Sequence, residues 1–263
     1  MAVVAVRYSE GFDRYQRFGD TDIWPEYNLH GDVANQFWNR LYEEFADYQF
    51  VLYDDETDEV LAEGHTIPVA WDGTSEGLAP GIDASLQAGF ALKASNGTAT
   101  ALCAMAAEIP VRNRDRRLAA VILEQMASIA RSAGLPWLIA PVRPNWKHRY
   151  PLTPIERYIT WVRSDGEPFD PWIRVHTRMG ATIAAPIARS MRITGSVADW
   201  EAWTGMAFPE SGEYVFPEGL SSSASIAKRT SGPTGSPTCG SCTRSERAPR
   251  EWDLNPRCPQ RPG

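Results

Sequence analysis

Residues 112–134 read RNRDRRLAAVILEQMASIARSAG, and this stretch decides the fold. Leu118, Ile122, Met126 and Ile129 recur at helical spacing, and Gly134 and Pro136 stop the helix. Four arginines, Arg112, Arg114, Arg116 and Arg117, crowd its mouth. The first turn of a helix leaves backbone N–H groups without partners and carries partial positive charge, so arginine there is unfavourable unless an anion is present. A pyrophosphate would accept those N–H groups, and arginines would add charge-assisted contacts. Ala119 and Ala120 are small enough to let a ligand approach the backbone, although glycine would do so better. The competing reading is a solvated turn whose arginines pair with acids of an acidic protein.

Outward from this helix the text alternates strands and helices. TATALCAMAAEIPV (98–111) reads as a buried strand before it, and WLIAPV (137–142) as a continuous apolar strand after it, fit to be buried on both faces. Further upstream, Val33, Phe37, Leu41 and Phe45 mark an amphipathic helix over 33–48. Residues 49–71 then read strand, acidic DDETDE loop, strand. Residues 83–95 are ambiguous, with helix one reading, and Asn96-Gly97 marks a turn. Downstream, DPWIRVHTRMG (170–180) has Asp170 as N-cap, Pro171 at the first position and Gly180 at the stop. ATIAAPIARSMRITG (181–195) reads as a returning strand. The order predicts an α/β fold, a mixed central sheet flanked by helices.

The chain has 263 residues, net charge −7 and 43% hydrophobic residues, enough for a sizeable core. Bulk attraction to nucleic acid or to an anionic membrane is not expected. No apolar run approaches the roughly 20 residues of a membrane span. The opening MAVVAVRYSEGFD makes a poor signal peptide, so a cytoplasmic location is expected. Nothing in the text has metal-ligand spacing, and no metal is expected. Residues 221–263 differ from the rest: they carry +4, leaving −11 on residues 1–220. They are rich in Ser, Pro, Thr and Gly, and read as a disordered tail. Cys239 and Cys242 lack both the strand–helix context of a redox pair and enough partners for zinc. A frameshift near residue 220 is a further reading. TGSPTCG (234–240), back-translated and started one base earlier, can give Tyr-Trp-Glu-Pro-Asn-Val-Trp, strand-like text closer to the body of the chain.

Over residues 33–195 the pattern resembles the GNAT superfamily, the Gcn5-related acyl-CoA N-acyltransferases. The resemblance is carried by the acidic hairpin, the strand into the arginine-rich turn, the helix ending IARSAG and the HTRMGA run. The family signature Arg/Gln-x-x-Gly-x-Gly/Ala falls on Arg114-Asp115-Arg116-Arg117-Leu118-Ala119, with Arg117 where the family prefers glycine. The resemblance implies a GNAT-type sheet with helices on both faces in a domain over 1–220. It also implies acetyl-CoA or another acyl-CoA as co-substrate, with contacts from Ile109, Val111, Arg112, Arg114, Asp115, Arg116, Arg117, Leu118, Ala119, Ala120 and Asn145. The implied acceptor is a primary amine on a small molecule or peptide; a homodimer is compatible.

Acyl transfer to an amine calls for a base, and the leaving thiolate calls for a proton. Glu108, in otherwise apolar strand text, matches the family's glutamate; the alternative is a side chain turned to solvent or to an arginine. His176 stands where the family has its tyrosine acid, with a surface or capping histidine as the alternative; Tyr150 and Tyr158 are fallback acids. His65 and His148 read as structural. The aromatic insertion 144–172 reads equally as acceptor pocket or satellite core. Two competing functions stay open: a non-catalytic acyl-CoA-binding or regulatory module, and other acyl-CoA chemistry such as O-acylation or decarboxylation.

Overall fold

The computed structural model describes residues 2–15, 23–221 and 224–226. Five strands lie side by side in chain order: β1 (Val3–Arg7), β2 (Gln49–Asp54), β3 (Val60–Val69), β4 (Ala101–Glu108) and β5 (Trp137–Ile139). The first four pair antiparallel; β4 and β5 are parallel. A parallel pair needs a crossover, and α3 (Leu118–Ser132) supplies it.

Strand alternation divides the core between the two faces of the sheet. On one face Phe50, Leu52, Leu61, Leu102 and Ala104 pack against Leu118, Ile122, Met126 and Ile129 of α3, and against Trp172 and Val175 of α4 (Pro171–Arg178). On the other face Ile67, Val69, Cys103 and Met105 pack against Leu41 of α1 (Ala34–Glu44) and against Leu86 and Phe90 of α2 (Ile82–Ala94). Each fully buried aliphatic side chain contributes about 2 kcal/mol, so α3 is held by its apolar stripe more than by its termini. The ambiguous segment 83–95 is thus helix, and Asn96 makes the turn after it with φ 50°. Asp170 caps α4 as its sequence position suggests, accepting from the N–H groups of Trp172 and Ile173. A fifth helix, α5 (Val197–Thr204), opens on a Ser196–Asp199 capping box.

Three expectations are corrected. WLIAPV forms only three residues of strand, and Trp137 is 53% exposed rather than buried: β5 is the edge of the sheet. Residues 181–195 form no strand beyond an isolated Gly31–Ile193 bridge and do not pair with β5. Instead Asp32 ties this segment down, accepting from Arg192 Nε (2.7 Å) and from the Thr194 N–H (2.9 Å). Within the tail expected to be disordered, β7 (Ala224–Ile226) pairs antiparallel with β6 (Gly212–Tyr214). The Cys239–Cys242 pair and the 234–240 run lie outside the described residues. Among the described residues no helix is long and apolar enough to cross a membrane.

Gly64 of β3 gives the sheet its tightest constraint. A Cβ there would lie 2.2 Å from Cζ of the fully buried Phe50 on the neighbouring strand. Gly64→Ala should therefore cost about 1–3 kcal/mol, read by chemical denaturation. An unchanged midpoint would show that Phe50 moves freely.

Candidate active site

The β4–β5 pairing stops early. Only Ala101–Cys103 face Trp137–Ile139, yet β4 runs on to Glu108. The two chains part there, and a long cleft opens between them. Glu108, Trp24, Trp38, Arg114, Ala119 and His176 are among the residues that line it.

Glu108 is inward-facing, with its side chain 12% exposed. Trp24 Nε1 donates to its Oε1 at 2.9 Å. In the β3–β4 register Glu108 stands directly opposite Glu63, and His65 lies two residues along β3 on the same face. His65 Nε2 is 3.3 Å from Glu63 Oε1 and 3.9 Å from Glu108 Oε1. Tyr42 of α1 donates to Glu63 Oε1 at 2.7 Å. Burial pushes the Glu63 carboxyl up to about 8, with the neighbouring Glu108 adding to the rise. Burial also raises Glu108, against the Trp24 hydrogen bond that lowers it. His65, wholly enclosed, is pushed down to about 3 by burial. Two ionised carboxylates directly opposite on a sheet would repel each other, so one of the pair is favoured in its protonated form. The three ligand atoms lie within 4.8 Å of one another, a convergence that no spacing in the text announces. Neutral donors already occupy both carboxylates, and the high proton affinity of Glu63 makes a proton the natural occupant.

Glu108 is thus placed where the sequence puts it, and the reading that turns it to solvent or to an arginine is corrected. Sequence reasoning missed Glu63, and took His65 for a structural residue.

The arginine mouth divides. A 3-10 turn (Val111–Arg116) leads into α3 and is anchored by buried Asn113, which donates to Leu61 O at 3.0 Å. Arg112 and Arg116 reach Glu59 of the acidic hairpin at 3.7 and 3.3 Å. Arg114 lines the cleft with Ile109, Ala119 and Asn145. Asp115, Arg117 and Ala120 are exposed, as is Val111, while Leu118 is turned into the core. No side chain caps the start of α3. An uncapped helix start beside a small residue and a cleft-facing arginine fits a pyrophosphate. Arg117 has φ 58° and ψ 28°, the left-handed region that favours glycine. This explains why glycine is preferred at that position.

The proposed acids fare differently. His176 lines the cleft edge-on to Trp172, with Nε2 buried and without a partner. Burial pushes it down to about 4, so the imidazolium is not available to protonate a thiolate near neutral pH; only a neutral N–H is. Tyr150 packs edge-on against Trp161 (4.9 Å) and Phe169 (5.7 Å) in a cluster around the buried Tyr158, whose hydroxyl donates to Asp170. The aromatic insertion thus holds a packed cluster around Tyr158, while its residues 144–149, 151–156 and Ile159 line the cleft.

Comparison with known proteins places this architecture. No family model matches the chain. It is 27% identical over 232 residues to an arginine N-acetyltransferase of Aspergillus versicolor, covering 79% of each chain. That similarity agrees with the resemblance of residues 33–195 to the GNAT superfamily. Solved structures with a similar fold include the loading GNATL domain of CurA from Lyngbya majuscula, at 18% identity and TM-score 0.48, covering 70% of this chain and 86% of that one. The GphF GNAT-like decarboxylase in complex with isobutyryl-CoA is 17% identical, with TM-score 0.45, over 70% and 88%.

If Arg117 is strained in the GNAT turn, Arg117→Gly should raise stability by about 1 kcal/mol in thermal or chemical denaturation. A loss of stability would show that the guanidinium makes a contact worth more than the backbone strain.

Proposed function

We propose that this chain is a CoA-dependent N-acetyltransferase that moves an acetyl group from acetyl-CoA to the primary amine of a small cationic acceptor. The observation that carries the reading is Glu108: a carboxylate of raised proton affinity, lining a cleft that opens where β4 and β5 part. The arginine acceptor of the fungal relative is consistent with a cleft lined by the Glu108 carboxyl.

Bound acetyl-CoA supplies the activated carbonyl and the thiolate leaving group. Arg114 and the uncapped start of α3 would hold its pyrophosphate, with Ile109, Ala119 and Asn145 along the same cleft. Past the last β5 pair, β4 offers an unpaired edge along which an extended arm can lie. Glu108 takes a proton from the acceptor ammonium, freeing the nitrogen lone pair to attack the thioester. As the C–N bond forms and the C–S bond breaks, the departing thiolate takes the second nitrogen proton. His176, neutral, offers at most a hydrogen bond near this point.

A non-catalytic acyl-CoA-binding module is the second reading, favoured by the capture of Arg112 and Arg116 by Glu59. Steady-state acetylation of arginine and related amines separates the two. Glu108→Gln should lower kcat by about 100-fold or more and leave acetyl-CoA affinity within about twofold. A wild-type chain that binds acetyl-CoA and acetylates none of them would favour the module. Equal turnover by both forms would remove Glu108 from the chemistry.

A further inference from the structure

Behind Glu108 the sheet encloses a chain of polar groups that the cleft does not reach. Gln49 of β2 is fully buried, and its amide nitrogen donates twice, to Phe45 O at 3.0 Å and to Thr66 O at 2.9 Å. Those two bonds fix which end of the amide is oxygen. Gln49 Oε1 therefore faces His65 Nδ1, at 3.2 Å, and Nδ1 carries the hydrogen. Nε2 is then a bare lone pair, buried and without a partner, aimed at Glu63 and Glu108. Three acceptors face one another across less than 4.8 Å. Such an arrangement repels itself unless a proton sits inside it. Trp38 covers the imidazole at 4.9 Å between ring centroids and Tyr42 meets it edge-on at 5.6 Å, so the cluster is walled off from the cleft except at Glu108.

We propose that Glu63 and His65 are positioning residues for Glu108: with Gln49 fixing the imidazole tautomer, they hold one shared proton behind the Glu108 carboxylate and keep that carboxylate ready to take a second. The inference rests on the acetyl-transfer reading above. In the resting state the Glu63–His65–Glu108 set carries one proton and one negative charge. The acceptor ammonium gives a second proton to Glu108, and the set becomes neutral. After transfer that proton leaves to water along the cleft, and the one-proton state returns. The titratable groups facing Glu108 are Glu63 and His65 from β3, with Tyr42 from α1 acting through Glu63. The raised Glu63 carboxyl agrees with a proton retained at neutral pH.

The test is a carbon-13 NMR titration of the glutamate carboxyls in the wild-type chain, assigned with Glu63→Gln. The expected result is one proton leaving the Glu63–Glu108 pair near pH 8, a step that Glu63→Gln abolishes. Two carboxyls titrating independently in the ordinary range near pH 4–5 would overturn the proposal. Kinetics test the positioning role. His65→Asn keeps the donor to Gln49 and loses Nε2. It should lower kcat about tenfold or more with KM for acetyl-CoA nearly unchanged, and His65→Gln, which restores a polar atom near Nε2, should recover part of it. Unchanged kcat in His65→Asn would also overturn the proposal. A wild-type chain that acetylates no amine sinks the transferase reading instead, while the NMR titration still decides whether the proton is held.

Discussion

β4 has a partner on both edges for three residues and then on one edge only. The candidate site follows from that change. Up to Cys103 the strand is ordinary core, buried between α3 on one face and the α1–α2 pair on the other. Beyond it the β5 edge is vacated, the cleft opens, and the strand carries Glu108 to its end. Antiparallel pairing to β3 continues along the other edge, so Glu108 is held in register against Glu63 rather than left on a loop. A rigid strand with one open edge can thus present a carboxylate to a ligand with the precision of a sheet.

The same geometry separates binding from proton handling. Arg114, Ala119 and the uncapped start of α3 lie on the α3 side of the split, where an anion is favoured. The acidic pair lies at the C-terminal end of β4, on the α1 face of the sheet, where a cation or a proton is favoured. Glu59 sits between these roles. It draws Arg112 and Arg116 away from the cleft and leaves Arg114 as the arginine that lines it. A sequence count of four arginines therefore overstates the charge available to a phosphate.

Much of this was legible in the text because it is local. The apolar stripe of α3, the acidic hairpin and the Asp170 cap each rest on spacing within a few residues. Glu108 stood out as a charge in an apolar strand. The partnership of Glu63 and His65 was not legible. Their two-residue spacing marks one face of a strand, but facing Glu108 depends on the β3–β4 register, with an irregularity between His65 and Thr66 that no residue announces. The short β5 was also hidden. WLIAPV is apolar throughout, and Trp137 is exposed because no further strand lies beside β5 among the described residues. Residues 181–195 misled in a similar way: strand-like composition does not by itself form a strand.

The account stands on an acyl-CoA site in the split between β4 and β5. The most direct measurement is calorimetric titration of CoA, desulfo-CoA and adenosine into the wild-type chain and Arg114→Ala. The account predicts binding of both CoA forms in the micromolar range, about 8 kcal/mol, with none by adenosine. Arg114→Ala should weaken it about tenfold. A folded wild-type chain that binds neither form of CoA would contradict the site and the transferase reading built on it.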